Sequence, residues 1–329
     1  MMRVLFFADT HLGFDFPVRP RIERRRRGWD FFNNYQHILD IARDEKVDAL
    51  VHGGDLFFRS KIPKSIIEKS YEPLLPILDS GIDILIIPGN HERSKLPNSP
   101  LFHHPKMHVF DRPRTFVIEN EISRVAFGGI PNIRHDIEGN FNAAIEQTEL
   151  LRHDGLKVMC LHQAIEDAVV GVQNYRFRKG PDVIGLDQFP ENLDLVLSGH
   201  IHRQQVLTAS NGTPIIYPGS IERTSYAERL ETKGYYMIDI GKGGISWEFR
   251  PLPSRPMLEW TLKPDVDEKS KLLEVLEEGI GSLPEDVILR IRCSQDLQLD
   301  LIKISELRKI FPETMNIDLL PPRLSRRYS

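Results

Sequence analysis

Cysteine is scarce: 329 residues carry two, Cys160 and Cys293, far apart in strand-like segments. That excludes a disulfide framework and fits unpaired thiols in a reducing, cytoplasmic setting. No run approaches the ~18 apolar residues of a membrane span, so no membrane partner is expected. The N-terminus, "MMRVLFFADTHLG", has a short apolar part and no small-residue cleavage site, and does not read as a signal peptide. Neither sign of charge dominates, since 43 Lys and Arg stand against 47 Asp and Glu. A polyanion would therefore have to be held by local basic patches or metals, not by overall charge. Repeats and low-complexity tracts are missing as well. What remains is an ordinary globular composition, 40% hydrophobic and 27% charged, on a chain long enough for two domains.

The first ~250 residues alternate short apolar strands with amphipathic helices. "RVLFFAD" (3–9), "VDALVHGGD" (47–55), "IDILIIPGNHE" (82–92), "LKVMCLHQ" (156–163) and "LDLVLSGHIH" (193–202) read as buried strands. Helical spacing marks 29–45, 63–81 and 136–153, with Pro73 and Pro76 placed to bend or break the second. Residues 115–130 suggest a hairpin, and 213–253 a β-rich stretch. The Pro-rich join "PLPSRP" (251–256) divides a domain at 1–254 from a smaller one at 255–321. The smaller one has strand, helix, strand, helix, strand order, and 322–329 form a tail.

The buried strands share a habit: each ends in residues that can bind metal. These ends are Asp9-Thr10-His11, Gly54-Asp55, Asn90-His91-Glu92, His162-Gln163 and Gly199-His200-Ile201-His202. In α/β sheets, ligands gather at the carboxyl ends of strands. Residues two apart in an extended chain point the same way, so His200 and His202 can face one point while Ile201 turns to the core. Asp9, His11, Asp55, Asn90, His162, His200 and His202 exceed what one ion needs and suit two ions sharing a carboxylate. Oxygen and nitrogen ligands without thiolate favour Mn, Fe or Zn. Two such ions ~3.5–4 Å apart polarise a phosphoryl oxygen and generate hydroxide at neutral pH, so phosphoester hydrolysis is the expected chemistry. His91 directly follows a candidate ligand, so its side chain is not expected to meet the same ion; it is available as a proton donor or transition-state stabiliser.

The order D-x-H, G-G-D, G-N-H-E, L-H-Q, G-H-I-H resembles the calcineurin-like dinuclear metallophosphoesterases. "GDLF" (54–57), "LHQAIEDAVVG" (161–171) and "YPGSIERTSYAE" (217–228) narrow the resemblance to the SbcD family of DNA double-strand-break repair nucleases. It implies an α/β fold, a calcineurin-like sandwich of two β-sheets flanked by helices, with a small α+β capping domain. It implies two Mn²⁺ ions, one on Asp9, His11, Asp55 and His202, the other on Asp55, Asn90, His162 and His200. Asp55 then bridges, and His91 matches the catalytic histidine. DNA is the implied substrate, cut 3′→5′ on duplex ends and endonucleolytically on single strands or hairpins, by a homodimer. An SbcC-type ATPase is the implied partner, gripped in the family by helices beyond the capping unit; this chain ends soon after that unit. Some relatives carry His or Asp where this chain has Phe58, so exonuclease activity is expected to be altered or lost while hydrolysis persists.

Three basic stretches are candidates for DNA contact. They are Arg24, Arg25 and Arg26 in "RIERRRRGW", Arg176, Arg178 and Lys179 in "YRFRKG", and Arg223, Thr224 and Ser225 in "IERTS". The competing reading is a related phosphoesterase acting on a phosphoprotein, cyclic nucleotide or nucleotide sugar. His52 and Trp260 read as packing residues, and "FHHPKMH" (102–108) as a surface loop without carboxylate company.

Overall fold

The opening strand, β1 (Met2–Phe7), is apolar on both sides: Leu5 and Phe7 enter one hydrophobic cluster, Val4 and Phe6 another. A strand buried on both faces belongs in the middle of layered α/β structure. The computed structural model describes residues 1–15, 27–241 and 243–322. After β1 come α1 (Gly28–Asp44), β2 (Ala49–His52), α2 (Lys64–Tyr71), α3 (Leu74–Asp79), β3 (Asp83–Ile86) and β4 (Met107–Val109). Then follow β5 (Arg114–Glu119), β6 (Arg124–Gly129), α4 (Ile137–Thr148), β7 (Leu156–His162), β8 (Val169–Val170), β9 (Tyr175–Arg176) and β10 (Leu195–Gly199). β11 (Gln205–Thr208), β12 (Pro214–Tyr217), β13 (Gly234–Gly241) and β14 (Gly244–Pro251) complete the first of two compact units, residues 1–15 with 28–254.

Two six-stranded sheets run β14-β13-β1-β2-β3-β4 and β11-β12-β10-β7-β6-β5. Val4, Phe6, Val51 and Leu85 of the first share a cluster with Phe127, Val158, Leu197 and Ile216 of the second, so the sheets face each other. On the outer side of the first sheet, Leu5, Phe7 and Ile84 meet Phe31, Tyr35 and Leu39 of α1 and Leu74 of α3. On the outer side of the second, Met159, Leu161 and Val196 meet Phe141 and Ile145 of α4. Each such side chain contributes about 1.5–3 kcal/mol by leaving water. The result is the expected α/β sandwich of two sheets flanked by helices. The 63–81 helical stretch is broken at Pro73, which separates α2 from α3.

The parallel pairs set the site. β1, β2 and β3 pair in register, with Phe7 opposite His52 and His52 opposite Ile86. In the second sheet His162 lies opposite Gly199 on parallel β7 and β10. All five metal-motif loops therefore leave the carboxyl ends of neighbouring parallel strands.

In the second unit, β15 (Met257–Thr261), β16 (Ile288–Arg292) and β17 (Asn316–Leu320) form a parallel sheet in that order. It is packed by α5 (Lys269–Ile280), α6 (Leu297–Leu301) and α7 (Ile304–Ile310). Trp260 packs so closely on α5 that a Cβ on Gly279 would lie 2.0 Å from its ring. The second helix expected in this unit is two, because Ile302 is extended (φ −149°, ψ 138°). Cys160 and Cys293 are free and buried. Among the described residues, no helix is long and apolar enough to cross a membrane.

Candidate metal centre

The first two motif loops are zipped together by their backbones. Asp9 N–H donates to Gly54 O (2.9 Å) and His11 N–H to Asp55 O (3.0 Å). The conformations needed are unusual: Asp9 (φ 53°), His11 (φ 44°), Asp55 (φ 53°) and His200 (φ 86°) are all left-handed. Non-glycine residues held there cost roughly 1–3 kcal/mol each and persist only where surroundings over-determine them. Part of the constraint is His52, which does more than pack. Gly54 N–H donates to its Nδ1 (3.2 Å), so Nε2 carries the proton and donates to Thr10 Oγ1 (3.1 Å). Thr10 Oγ1 in turn donates to Leu56 O (2.9 Å). Glu92 adds a second brace, accepting from Phe57 N–H (2.6 Å) and Gly89 N–H (2.8 Å). Gly89 is obligatory here, since a Cβ would lie 2.1 Å from Asp55 Oδ1.

The side chains converge as two groups around Asp55. In one, His11 Nε2 and His202 Nε2 are 2.9 Å apart, with Asp9 Oδ1 3.9 Å from His202 Nε2. In the other, Asn90 Oδ1 lies 3.0 Å from His162 Nε2 and 2.9 Å from His200 Nδ1. Asp55 Oδ2 is 3.4 Å from His162 Nε2. His162 Nδ1 donates to Gly53 O (2.8 Å), so its neutral form turns a bare Nε2 towards Asn90 and Asp55 oxygens. In that neutral form acceptors face acceptors, an arrangement that either a proton on Nε2 or a bound cation resolves. Asp9 with His11 and His202, Asp9 with Asp55 and His162, and His11 with Asp55 and His91 each offer ligand atoms within 4.8 Å of one another.

His91 stands differently. Its backbone N–H donates to Asp55 Oδ1 (2.9 Å), its Nδ1 lies 2.5 Å from Phe58 O, and its Nε2 is 3.8 Å from Asp55 Oδ2. The Phe58 ring packs beside both His91 and His11, with centroids 5.9 and 6.1 Å away.

Charge in the pocket is frustrated. Burial pushes the Asp9 carboxyl up to about 6 against its neighbouring histidines. Burial works the same way on Asp55, but His162 above all holds it well below the usual carboxylate range. His162 is desolvated too, yet Asp55 raises it to about 9. His200 is pushed down to about 3 by burial and by His162, and burial lowers His11.

Residues 2–204, which include every one of these loops, match the model for the calcineurin-like phosphoesterases. The chain belongs to that family. Membership implies a dinuclear divalent-metal site, and the donor groups around Asp55 are where this phosphoesterase offers one. The chain is similar to the DNA double-strand break repair protein Mre11 of Methanosarcina acetivorans, 27% identical over 313 residues covering 93% of this chain and 48% of that one. Mre11 of Saccharolobus solfataricus is 26% identical over 251 residues, covering 74% of this chain and 61% of its own length. The SbcD component of the SbcCD nuclease of Bacillus subtilis is 27% identical over 348 residues, covering 96% of this chain and 85% of that one. The chain therefore spans about half the length of the Methanosarcina relative.

The basic candidates of this phosphoesterase are less available than their sequence suggests. Arg24, Arg25 and Arg26 lie outside the described residues. Tyr175–Arg176 is a strand of the small β8–β9 hairpin. There Arg176 pairs with Asp167 (3.3 Å) and Lys179 with Asp187 (2.7 Å), while Arg178 is exposed. Arg223 donates to Glu231 O (2.9 Å), and Thr224 and Ser225 hydroxyls point at Glu228 Oε1 (2.6 and 3.3 Å). "FHHPKMH" does have carboxylate company, because β4 brings His108 Nε2 within 2.8 Å of Asp83 Oδ1. Sequence reasoning misses Glu92, Glu228, His52 and Thr10 as site residues. The Glu in "GNHE" and in "SYAE" is the only signal, and neither has metal-ligand spacing.

Proposed function

We propose that this phosphoesterase is a divalent-metal-dependent DNA nuclease that hydrolyses phosphodiesters at broken ends. The reading rests on one observation: two donor groups of mixed oxygen and imidazole ligands meet at a single buried carboxylate, Asp55. One ion, manganese in this proposal, is assigned to Asp9, His11, Asp55 and His202, the other to Asp55, Asn90, His162 and His200. When bound, such ions neutralise phosphoryl oxygens and make water acidic enough to supply a nucleophile at neutral pH. The chain's own contribution is orientation and a proton. Phe58 O accepts from His91 Nδ1, which leaves Nε2 facing the pocket to hold the proton needed by the departing 3′ oxygen. Similarity to Mre11 and SbcD supports DNA as substrate, and with it a homodimer and an SbcC-type ATPase partner. In place of the relatives' polar residue, Phe58 covers the flank of His91 and weakens duplex exonuclease more than single-strand cleavage.

The pairing of Arg176 and Lys179 with carboxylates favours a second reading, a smaller phosphoester substrate. End-labelled duplex and hairpin oligonucleotides incubated with Mn²⁺ decide between them. The proposal expects shortening from the 3′ end and hairpin opening, both stopped by EDTA. Turnover of bis(4-nitrophenyl) phosphate with no cleavage of any DNA overturns it.

A further inference from the structure

Behind His202, on the side away from the other ligands, lies a buried cluster of charges that the proposed chemistry does not use. Lys233 is wholly buried (0% exposed) and its ammonium has three acceptors: Glu228 Oε2 (2.7 Å), Glu231 Oε2 (2.9 Å) and His202 O (2.8 Å). Glu228 is surrounded by donors. Its Oε1 accepts from Thr224 Oγ1 (2.6 Å) and Ser225 Oγ (3.3 Å), and its Oε2 from Lys233 and Ser220 Oγ (3.4 Å). The remaining neighbour of Oε1 is His202 Nδ1 at 3.3 Å.

We infer that Glu228, locked by Lys233, is the positioning residue that fixes the tautomer and orientation of His202. A carboxylate can only accept, so Nδ1 must donate, and Nε2 is left bare towards His11 and Asp9. Lys233 holds both ends of the arrangement, the carboxylate that orients the ring and the carbonyl of the same histidine. Taking an ammonium and a carboxylate out of water costs several kcal/mol per ion, which a well-packed apolar pair would avoid. The expense is explained if the pair orients a ligand, because carboxylate partners of metal-binding histidines set the ligand atom. The "IERTSYAE" loop is thus assigned to the metal centre: Thr224 and Ser225 serve Glu228. The inference rests on the ligand assignment of His202 made above.

Glu228→Gln tests it. The amide must either present N–H to Nδ1, which forces the imidazole proton onto Nε2, or present it to the Lys233 ammonium. Manganese titration of the full chain followed by calorimetry and low-temperature electron paramagnetic resonance should give two ions in the parent. In Glu228→Gln one of the two should bind about 10–100-fold more weakly while the other is unchanged. At limiting Mn²⁺ the coupled-pair signal should give way to an isolated six-line spectrum. Glu228→Asp should restore part of the lost affinity. Should Glu228→Gln fail to fold, Glu228→Gln with Lys233→Met removes both buried charges, and its thermal melt without metal reports the fold separately. Wild-type affinity for both ions in either folded variant overturns the inference alone. A parent chain that binds no pair of ions overturns the ligand assignment and this inference together. Neither readout depends on whether DNA is the substrate.

Discussion

Replacing His91 with alanine separates the proposed proton donor from the proposed metal ligands. The contact that residue 91 makes to the shared carboxylate is its backbone N–H to Asp55 Oδ1 (2.9 Å), and alanine keeps it. What disappears is an imidazole held through Nδ1 by Phe58 O, with its side chain 34% exposed and Nε2 3.8 Å from Asp55 Oδ2. A positioned general acid is worth about 10²–10⁴ in rate. That is roughly 3–5.5 kcal/mol of barrier at 1.36 kcal/mol per tenfold. The loss depends on the leaving group: a 3′ alkoxide needs a proton as it departs, whereas 4-nitrophenolate is stable as an anion. DNA cleavage should therefore fall by about 10²–10⁴, and bis(4-nitrophenyl) phosphate turnover by about tenfold or less. Bound manganese should not change. Equal losses on both substrates would refute the proton-donor role. Loss of an ion would show His91 to be a ligand, as its grouping with His11 and Asp55 permits.

Gly89→Ala puts a Cβ 2.1 Å from Asp55 Oδ1 and 2.4 Å from Asp55 N, and a backbone atom cannot swing aside. Denaturant melts should show a loss of about 1–3 kcal/mol, with the shared carboxylate displaced and metal binding weakened; unchanged stability would refute the packing argument. Metal binding should also depend on pH. With the ion-free His162 raised to about 9 by Asp55, its ion must displace a proton below that pH. Its apparent affinity should rise by up to about tenfold per unit from pH 6.5 to 9 and then level off; calorimetry showing no proton release there contradicts this. The same shift stabilises the ion-free chain fully below the ordinary value of 6.5, and that stability is lost as pH rises through about 9. A melting series in EDTA that stays flat between those limits contradicts it.

The central strands and the helix break were legible because those strands are apolar on both faces and because Pro73 interrupts a helix, whereas the two-sheet sandwich followed from the family resemblance. The metal groups were legible for a related reason: parallel strands carry their last residues to one edge, so motifs scattered from Asp9 to His202 meet. Other features depend on partners distant in the chain. Lys179 reads as a free cation until Asp187 is seen beside it, and His108 lacks a carboxylate until β3 brings Asp83. Glu228 lies 26 positions from His202, and its hydrogen bond exists only once the loop folds back. Ile302 belongs to an apolar pattern that continues through a helix break, so pattern alone joins α6 to α7.

The central claim is that seven side chains hold two ions through Asp55. Anomalous diffraction from crystals grown with Mn²⁺ tests it most directly. Two peaks should appear, one among Asp9, His11 and His202, the other among Asn90, His162 and His200, both touching the Asp55 carboxylate. A single peak, or peaks that do not share Asp55, would contradict the account.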